Sequence, residues 1–357
     1  MPAAIAAASS GDATLWRTSM RGRGGACFPF LATGRSGYRR PPVPELPLFD
    51  QQTVLSAVSP ADAIERVRDG FVQLAHGDWA MPPKTYLDAP PGGDFRAMPA
   101  RGGGLAILKW VTSFPGNPAR GLPVVMGVIC VSDAGTGEPL ALVDVRAVTA
   151  LRTGAVAAVA VQELAREDAR TAAVVGCGVH GAWAARCLAA AEYGPGVCFD
   201  PDPDRAGAVA GELGWEVGSL EDALACDVVT CVSPGHEPVV RAADLRPGMH
   251  LSMLGADAAG KAEAEVDAVR SCVLFCDEWA QASHGGELTG AVEAGVVSRE
   301  DVTELGAVIA GTAPGRPSDE AITLFDSTGL AIQDLAICHA LVEALRAGSV
   351  RPPVARL

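Results

Sequence analysis

The 357-residue sequence predicts an α/β protein built on a doubly wound parallel sheet, and its length predicts two domains. Three observations predict this class. Hydrophobic residues make up 49% of the chain, which suffices for cores of ordinary size. In the second half, short apolar runs alternate with helical segments, as in parallel strands joined by helices. A glycine-rich turn follows the first of these runs, where such sheets bind ligands.

Charge separates the N-terminus from the rest of the chain. The chain carries 28 basic and 42 acidic residues, a net charge of −14, which disfavours a nucleic acid partner because phosphates are repelled. Residues 1–40 nevertheless contain six arginines and a single acid, Asp12, without hydrophobic periodicity. We therefore expect 1–45 to be an extension that is disordered or follows a wrongly assigned start codon; a transit peptide is the alternative.

Neither a membrane span nor a metal site is predicted. The longest apolar stretch, near 122–131, is shorter than the roughly 18 residues that a span requires, so we expect a soluble protein. The ten cysteines form no CxxC pair and no Cys/His cluster at zinc-ligand spacing. We interpret them as reduced thiols in the core, which favours a cytoplasmic location.

The first half contains a helix followed by a sheet. Ser59 is a good N-cap and Pro60 a good first residue for an amphipathic helix over 60–77. The segment 80–143 reads as mostly antiparallel sheet, and an alanine-rich helix follows over 145–163. The strands predicted within the segment 80–143 are 105–114, 124–131 and 139–143.

The second half begins the parallel sheet. Its strands are predicted over 171–175, 196–200, 227–232, 250–254 and 272–276, with a later one over 322–326. A final helix over 329–347 has an apolar face, which we expect to pack on the first half of the chain.

Gly176, Gly178 and Gly181 form a G-x-G-x-x-G motif between the first parallel strand and a helix. The first glycine permits a tight turn, the second lets a pyrophosphate approach the backbone, and the third lets helix and strand pack closely. The helix N-terminus attracts the anion. The motif predicts a dinucleotide-binding Rossmann fold; a plain strand-loop-helix turn is the alternative.

Asp200 ends the next strand, 19 residues after Gly181, where an acid accepts hydrogen bonds from the adenosine ribose. With Asp202 and Asp204 beside it, a 2′-phosphate would be repelled, so the predicted cofactor is NAD rather than NADP. We expect His180, inside the glycine motif, to contribute only its backbone.

Four cations precede the glycine motif: Lys84, Arg96, Lys109 and Arg152. If the fold brings them to the cleft facing that motif, they can bind a small carboxylate; surface solubility is the alternative. Lys109 is unusual because strand alternation places it on the same face as Ile107 and Val111, an expensive position for a solvated charge.

Asp257 follows the fourth parallel strand, at the edge where open α/β sheets bind ligands. It is the candidate catalytic acid or base. The alternative is an N-cap for a helix beginning near residue 263.

The sequence resembles the ornithine cyclodeaminase/mu-crystallin family over nearly all of 51–350, and most closely its archaeal alanine dehydrogenase branch. The resemblance rests on several motifs besides the glycine motif. They are Lys109-Trp110-Val111, Thr149-Ala150-Leu151-Arg152-Thr153, Gly255-Ala256-Asp257, Gly285-Gly286-Glu287 and Phe325-Asp326-Ser327-Thr328-Gly329-Leu330-Ala331.

The resemblance implies a discontinuous α+β substrate-binding and dimerisation domain, made of 46–150 with 325–357, a Rossmann NAD-binding domain over 151–324, and a homodimer. It implies that Lys84, Lys109 and Arg152 bind the substrate carboxylate and that Asp257, with Lys109, is catalytic. The implied cofactor-binding residues are Thr153, Gly176, Gly178, Val179, His180, Gly181, Asp200, Ser233 and Gly255.

The activity implied is NAD-dependent hydride transfer at the α-carbon of a small amino acid or its imine or 2-oxo acid. An ornithine or lysine cyclodeaminase is one alternative, and a nucleotide-bound, mu-crystallin-like ligand-binding protein is another. In the cyclodeaminase branch a glutamate stands where this chain has Arg96. A guanidinium there would repel a second ammonium group and favour alanine-like or acidic substrates, so Arg96 is also a predicted substrate-binding residue.

Overall fold

The computed structural model describes residues 45–234, 237–258 and 260–356. Except for Glu45, the segment predicted as an N-terminal extension lies outside the described residues. The α-helices, numbered in chain order, are α1 Gln51–Ala57, α2 Pro60–Ala75, α3 Val145–Leu164, α4 Val179–Ala190, α5 Pro203–Leu213, α6 Leu220–Leu224, α7 Val266–Arg270, α8 Trp279–Gly285, α9 Thr289–Glu293, α10 Leu305–Ile309 and α11 Ala331–Ala347.

The first sheet is mostly antiparallel, as the sequence predicts. Its strands, numbered in chain order, are β1 Glu45–Phe49, β2 Thr85–Asp88, β3 Asp94–Gly102, β4 Leu105–Ser113, β5 Val125–Asp133, β6 Pro139–Asp144 and, at the C-terminal end, β15 Val354–Arg356. The order across the sheet is β15-β1-β6-β5-β4-β3-β2, and only the β1–β6 pairing is parallel among these strands. Residues from both ends of the described chain thus share one sheet.

The second sheet is parallel throughout its described strands, which confirms the doubly wound prediction. Its strands are β7 Ala172–Val175, β8 Gly196–Phe199, β9 Glu216–Val217, β10 Val228–Cys231, β11 His250–Met253, β12 Val273–Cys276, β13 Val302–Glu304 and β14 Thr323–Asp326. The order is β13-β12-β14-β11-β10-β7-β8-β9, so the winding direction reverses between β7 and β10. Open α/β sheets bind ligands at such a reversal.

Helices fix how the two sheets share a core. Ser59 caps α2, because its hydroxyl accepts a hydrogen bond from the Asp62 amide and the Asp62 carboxylate accepts one from the Ser59 amide. The C-terminal helix α11 packs against α2, α3, β3 and β4, which is the placement that its apolar face predicts.

The central helix α3 joins the first sheet to β7 and packs against α2 and α4. By length and composition it is apolar enough to cross a membrane, yet nearly all of that stretch is buried inside the protein, as in the core helix of a folded domain. The predicted domain boundary between residues 150 and 151 falls within this helix.

Candidate active site

The glycine motif forms a tight loop between β7 and α4. Gly176 has a φ of +95°, and a Cβ there would lie 2.8 Å from the Val232 carbonyl oxygen. A Cβ on Gly181 would lie 1.8 Å from the Gly176 oxygen, so helix and loop pack together without room for a side chain. A Cβ on Gly178 would meet open space. Gly178 caps α4 without a side-chain hydrogen bond, which leaves the amides of the first turn for an anion.

Asp200 lies beside this loop. Its carboxylate accepts hydrogen bonds from the Cys177 amide at 2.7 Å and from the Asp202 amide at 2.9 Å. The contact ties the end of β8 to the glycine loop, which places an acid next to the proposed pyrophosphate site. The local geometry therefore fits a dinucleotide.

Two further loops at this edge are fixed by Glu263, a residue that sequence reasoning missed. The Glu263 carboxylate accepts hydrogen bonds from the Ser233 amide at 2.5 Å and the Gly255 amide at 2.7 Å. Burial raises the pKa of Glu263 to about 7, although these hydrogen bonds oppose the shift. Glu287 in turn accepts hydrogen bonds from the Glu263 and Ala264 amides. The two buried carboxyls hold the ends of β10 and β11 in place.

A cavity of about 70 Å³ lies beside the glycine loop. The fold brings together there the five charged residues that the sequence singles out, although they come from distant parts of the chain. Six hydroxyl-bearing residues of the described chain and His180 also line it. The lining includes Lys84, Arg96, Lys109, Thr149, Arg152, Thr153, His180, Asp257 and Thr328.

Lys109 on β4 is fully buried, with 1% of its surface exposed. Its Nζ donates a hydrogen bond to Oδ1 of Asp334 on α11 at 2.8 Å, and Arg152 Nε lies 3.8 Å from the same oxygen. Burial lowers the pKa of Lys109 to about 8, and the attraction of Asp334 only partly offsets that shift. Asp334 is the counter-ion that the apolar neighbours of Lys109 could not reveal.

Asp257 is held by two cations. Its carboxylate accepts a hydrogen bond from Lys261 Nζ at 2.6 Å and one from Arg96 Nη1 at 2.7 Å. Burial favours the protonated form, but Arg96 and Lys261 outweigh it and hold the pKa of Asp257 below its usual range. The N-cap alternative is wrong, since the next helix begins at Val266 with Glu265 as its cap.

Arg96 has a different setting from the one expected. Its Nε and Nη2 donate to Asp94, its Nη1 donates to Asp257, and its guanidinium stacks 5.2 Å from the centre of the Tyr86 ring. Three of its five N–H groups are therefore engaged by carboxylates of the protein itself. These contacts make Arg96, above all, the residue that orients the Asp257 carboxylate.

Lys84 and Arg152 meet at the loop after β14. Lys84 Nζ donates a hydrogen bond to the Thr328 carbonyl oxygen at 2.6 Å, and burial lowers its pKa to about 8. The Arg152 guanidinium packs on Gly329, where a Cβ would lie 2.5 Å from Nη1. Asp277, which the sequence did not single out, holds this loop by accepting from the Gly329 amide at 2.8 Å.

Three buried polar atoms beside the cavity have no hydrogen-bond partner among the described residues: Thr149 Oγ1, Arg152 Nε and Asp334 Oδ2. Buried polar groups are almost always paired. Their grouping fits a cavity that holds a polar ligand. Thr153 also lines the cavity, and its hydroxyl donates to the Thr149 carbonyl at 2.7 Å.

The expectation of a backbone-only role for His180 is incomplete, because its imidazole lines the cavity. Its position in the second residue of α4 turns the side chain from the glycine loop toward the cations. No local pattern in the sequence predicts this, since the direction of a side chain in the first turn of α4 depends on the packing of the whole fold.

The parallel sheet, with the open glycine loop at the reversal of its strand order and a cationic cavity beside that loop, defines a dinucleotide-binding protein. Residues 48–349 match the family model of the ornithine cyclodeaminase/mu-crystallin family, and the chain belongs to that family.

Named relatives agree with this assignment. The chain is 39% identical to an alanine dehydrogenase of Archaeoglobus fulgidus, over 83% of this chain and 94% of that protein. It superposes on a solved archaeal alanine dehydrogenase dimer with bound NAD with a TM-score of 0.84, at 38% identity, covering 88% of this chain and 100% of that one. A Thermococcus litoralis Δ1-pyrroline-2-carboxylate reductase, solved with NADH and L-proline, gives 0.81 at 28% identity, covering 85% and 98%.

Proposed function

We propose that this protein is an NAD-dependent oxidoreductase that transfers a hydride at the α-carbon of a small amino acid or of the corresponding imine, formed from a 2-oxo acid. The observation that carries the proposal is the single cavity in which Lys84, Lys109, Arg152 and Asp257 meet beside the glycine loop. A nucleotide-bound ligand-binding protein would need the loop but not the half-buried acid Asp257.

The cofactor would lie on the glycine loop, with its pyrophosphate at the N-terminus of α4 and its adenosine ribose near Asp200. Thr153 lies in α3, Val179 begins α4, and Ser233 and Gly255 lie in the loops after β10 and β11. When bound, NAD supplies the hydride acceptor or donor.

Lys84, Lys109 and Arg152 would bind the substrate carboxylate. All three are cations beside one cavity, and Arg152 presents a planar fork suited to a carboxylate. Asp334 keeps Lys109 charged within an apolar strand and leaves its remaining N–H groups for the substrate. This arrangement orients the α-carbon.

Asp257 would act on the nitrogen or on water. Arg96 and Lys261 keep Asp257 ionised. The charged carboxylate can therefore stabilise the positive charge of an iminium and accept a hydrogen bond from the water that adds to the iminium. A carboxylate that stays charged through the reaction suits electrostatic stabilisation.

The cyclodeaminase alternative is disfavoured by charge. Among the described residues that line the cavity, the one carboxylate is Asp257, and both of its oxygens already accept hydrogen bonds from cations. A second ammonium group of ornithine or lysine would find no unpaired counter-charge there. Substrates with small neutral or acidic side chains carry no second ammonium group, so the cations of the cavity would not repel their side chains.

The test is a spectrophotometric screen. Amino acids are offered with NAD, and 2-oxo acids with NADH plus ammonia, and NADH is followed by absorbance. We expect turnover with alanine-like or acidic substrates. Ornithine with catalytic NAD is run in parallel and analysed for proline by mass spectrometry; proline formed faster than alanine is oxidised would favour the cyclodeaminase instead.

We further propose a homodimer in which the outer face of the first sheet is covered. That face exposes Leu108, Trp110 and Val128, whereas the opposite face of the same strands buries Ile107, Val111 and Ile129 in the core. A solved relative is described as a dimer. Light scattering after size exclusion tests this, and Trp110→Glu is expected to shift the mass toward a monomer.

We propose two further properties of the chain. It is divided into a discontinuous substrate domain and a Rossmann domain, and it is located in the cytoplasm. The separate strand sets of the two sheets support the division. The described cysteines are free thiols, which supports a reducing compartment. Limited proteolysis and cell fractionation test the two points.

A further inference from the structure

We propose that His180 is the substrate-binding residue for the amino group, a role that rests on the proposed function. The cavity holds four cations, which can only donate hydrogen bonds, and these suit the carboxylate and not the nitrogen. The substrate nitrogen needs an acceptor. The acceptors that line the cavity are therefore the residues to compare.

Most of those acceptors are already engaged; the hydroxyls of Thr149 on α3 and Ser113 on β4 are not, but neither residue lies on the glycine loop. Each Asp257 oxygen accepts a hydrogen bond from a cation, and its remaining lone pairs are the ones proposed above for the attacking water. The Thr112 and Thr153 hydroxyls donate to backbone carbonyls at 3.2 and 2.7 Å, which fixes the direction of their lone pairs. The His180 imidazole makes no hydrogen bond with any residue that the structure describes, so both of its ring nitrogens are available to a ligand.

The surroundings keep this ring neutral. Burial and the charges of Arg152 and Lys109 lower the pKa of His180 to about 4, against a small opposing effect of Asp257. A neutral imidazole retains one nitrogen lone pair, which can accept a hydrogen bond from an amine or from ammonia.

The position of His180 suits this role as well. It lies in the second residue of α4, on the loop proposed to hold the cofactor, and it lines the same cavity as Lys109, Arg152 and Asp257. The reacting α-carbon must approach the cofactor, so the nitrogen bonded to that carbon comes within reach of this loop. His180 and the carboxylate-binding cations would then hold the two polar groups of the substrate separately.

The test compares His180→Leu with His180→Gln, which retains a hydrogen-bond acceptor. The reaction of pyruvate, ammonia and NADH is measured while ammonia and pyruvate are varied in turn, and the NADH Kd is measured by fluorescence. The matched control is His76→Leu, since His76 is exposed at the end of α2 and away from the cavity. Circular dichroism and thermal melting check that each variant is folded.

We expect His180→Leu to raise the KM for ammonia at least tenfold, with the pyruvate KM and NADH Kd within about threefold of wild type. The KM of His180→Gln for ammonia should stay within about threefold of the wild-type value. An unchanged ammonia KM in His180→Leu overturns the inference and leaves the proposed function intact. So does a tenfold weaker NADH Kd, which would assign the ring to the cofactor. A wild-type protein that binds NADH but turns over none of the substrates overturns the proposed function and this inference together.

Discussion

The two sides of the cavity are assembled in different ways. On the cofactor side, the glycine loop and Asp200 are joined by a hydrogen bond between residues 23 positions apart in the chain. On the substrate side, the contacts of Arg96, Lys109 and Lys84 join residues 161, 225 and 244 positions apart. One side is a local motif, and the other exists only once both sheets and α11 have packed.

This difference has a consequence for how each side tolerates change. A local loop keeps its geometry from glycine conformations and from one neighbouring strand. The substrate side depends on buried ion pairs, which lose most when one partner is removed. We therefore expect large effects of single substitutions on the substrate side and smaller ones on the cofactor side.

The largest effect is expected for Asp257→Asn. The amide keeps the size of the side chain but carries no charge, so turnover should fall by roughly 10²–10⁴-fold. NADH binding should remain, because the cofactor side is built separately. Stopped-flow measurement of hydride transfer and a fluorescence titration with NADH test both parts. A variant with nearly unchanged turnover would show that the substrate side does not depend on this charge.

The next largest effect is expected for Asp334→Asn. It leaves Lys109 without its buried counter-ion, which costs about 3–5 kcal/mol when one partner of a buried pair is removed. Thermal or urea unfolding should show the loss, and the KM for the 2-oxo acid should rise.

The matched control is Glu343→Gln. Glu343 pairs with Arg66 at the surface, where both side chains are substantially exposed, and such pairs contribute about 0–1 kcal/mol. If the two substitutions lower the free energy of unfolding equally, the buried pair contributes no more to stability than the exposed one.

The two lysines predict a pH dependence of substrate binding. Lys84 and Lys109 have pKa values lowered to about 8, so each binds a carboxylate as an ammonium below that pH and loses its charge above it. Affinity for a 2-oxo acid should therefore fall as pH rises through about 8, by roughly tenfold per pH unit for each lysine required.

The pH profile of kcat/KM for the 2-oxo acid measures this limb. Lys84→Arg serves as a comparison because its guanidinium remains charged, which should make the alkaline limb shallower. A profile that stays flat to pH 10 would mean that neither lysine has a lowered pKa.

The smallest effect concerns the cofactor side. NADH should bind at least tenfold more tightly than NADPH, about 1.4 kcal/mol, because Asp200 would face the 2′-phosphate. Asp200→Asn should reduce this ratio while the amide oxygen still accepts a hydrogen bond from the Cys177 amide. Asp267→Asn, which changes an exposed acid in the first turn of α7, is the matched control. Equal affinities in the wild type would remove Asp200 from its proposed role.

The sequence by itself determined the parallel sheet, the helices that cover it and the position of the glycine loop. It also singled out the charged residues, without deciding between a shared cavity and the protein surface. These follow from hydrophobic periodicity, from turn chemistry and from residues whose burial is costly without a partner. Lys109 is the clearest case, because its apolar neighbours made the position expensive for a solvated charge. Local patterns carry such information because helices and strands repeat over a few residues.

Only the tertiary structure decided which partners these residues have. Asp334 lies on α11 among apolar residues, and nothing in its local sequence connects it with a lysine 225 positions earlier. The same holds for Arg96, which orients Asp257, for Glu263, which fixes two loops, and for the direction of the His180 ring. The physical reason is that ion pairs and cavity linings are set by how packed elements meet in space, and sequence periodicity does not specify that distance.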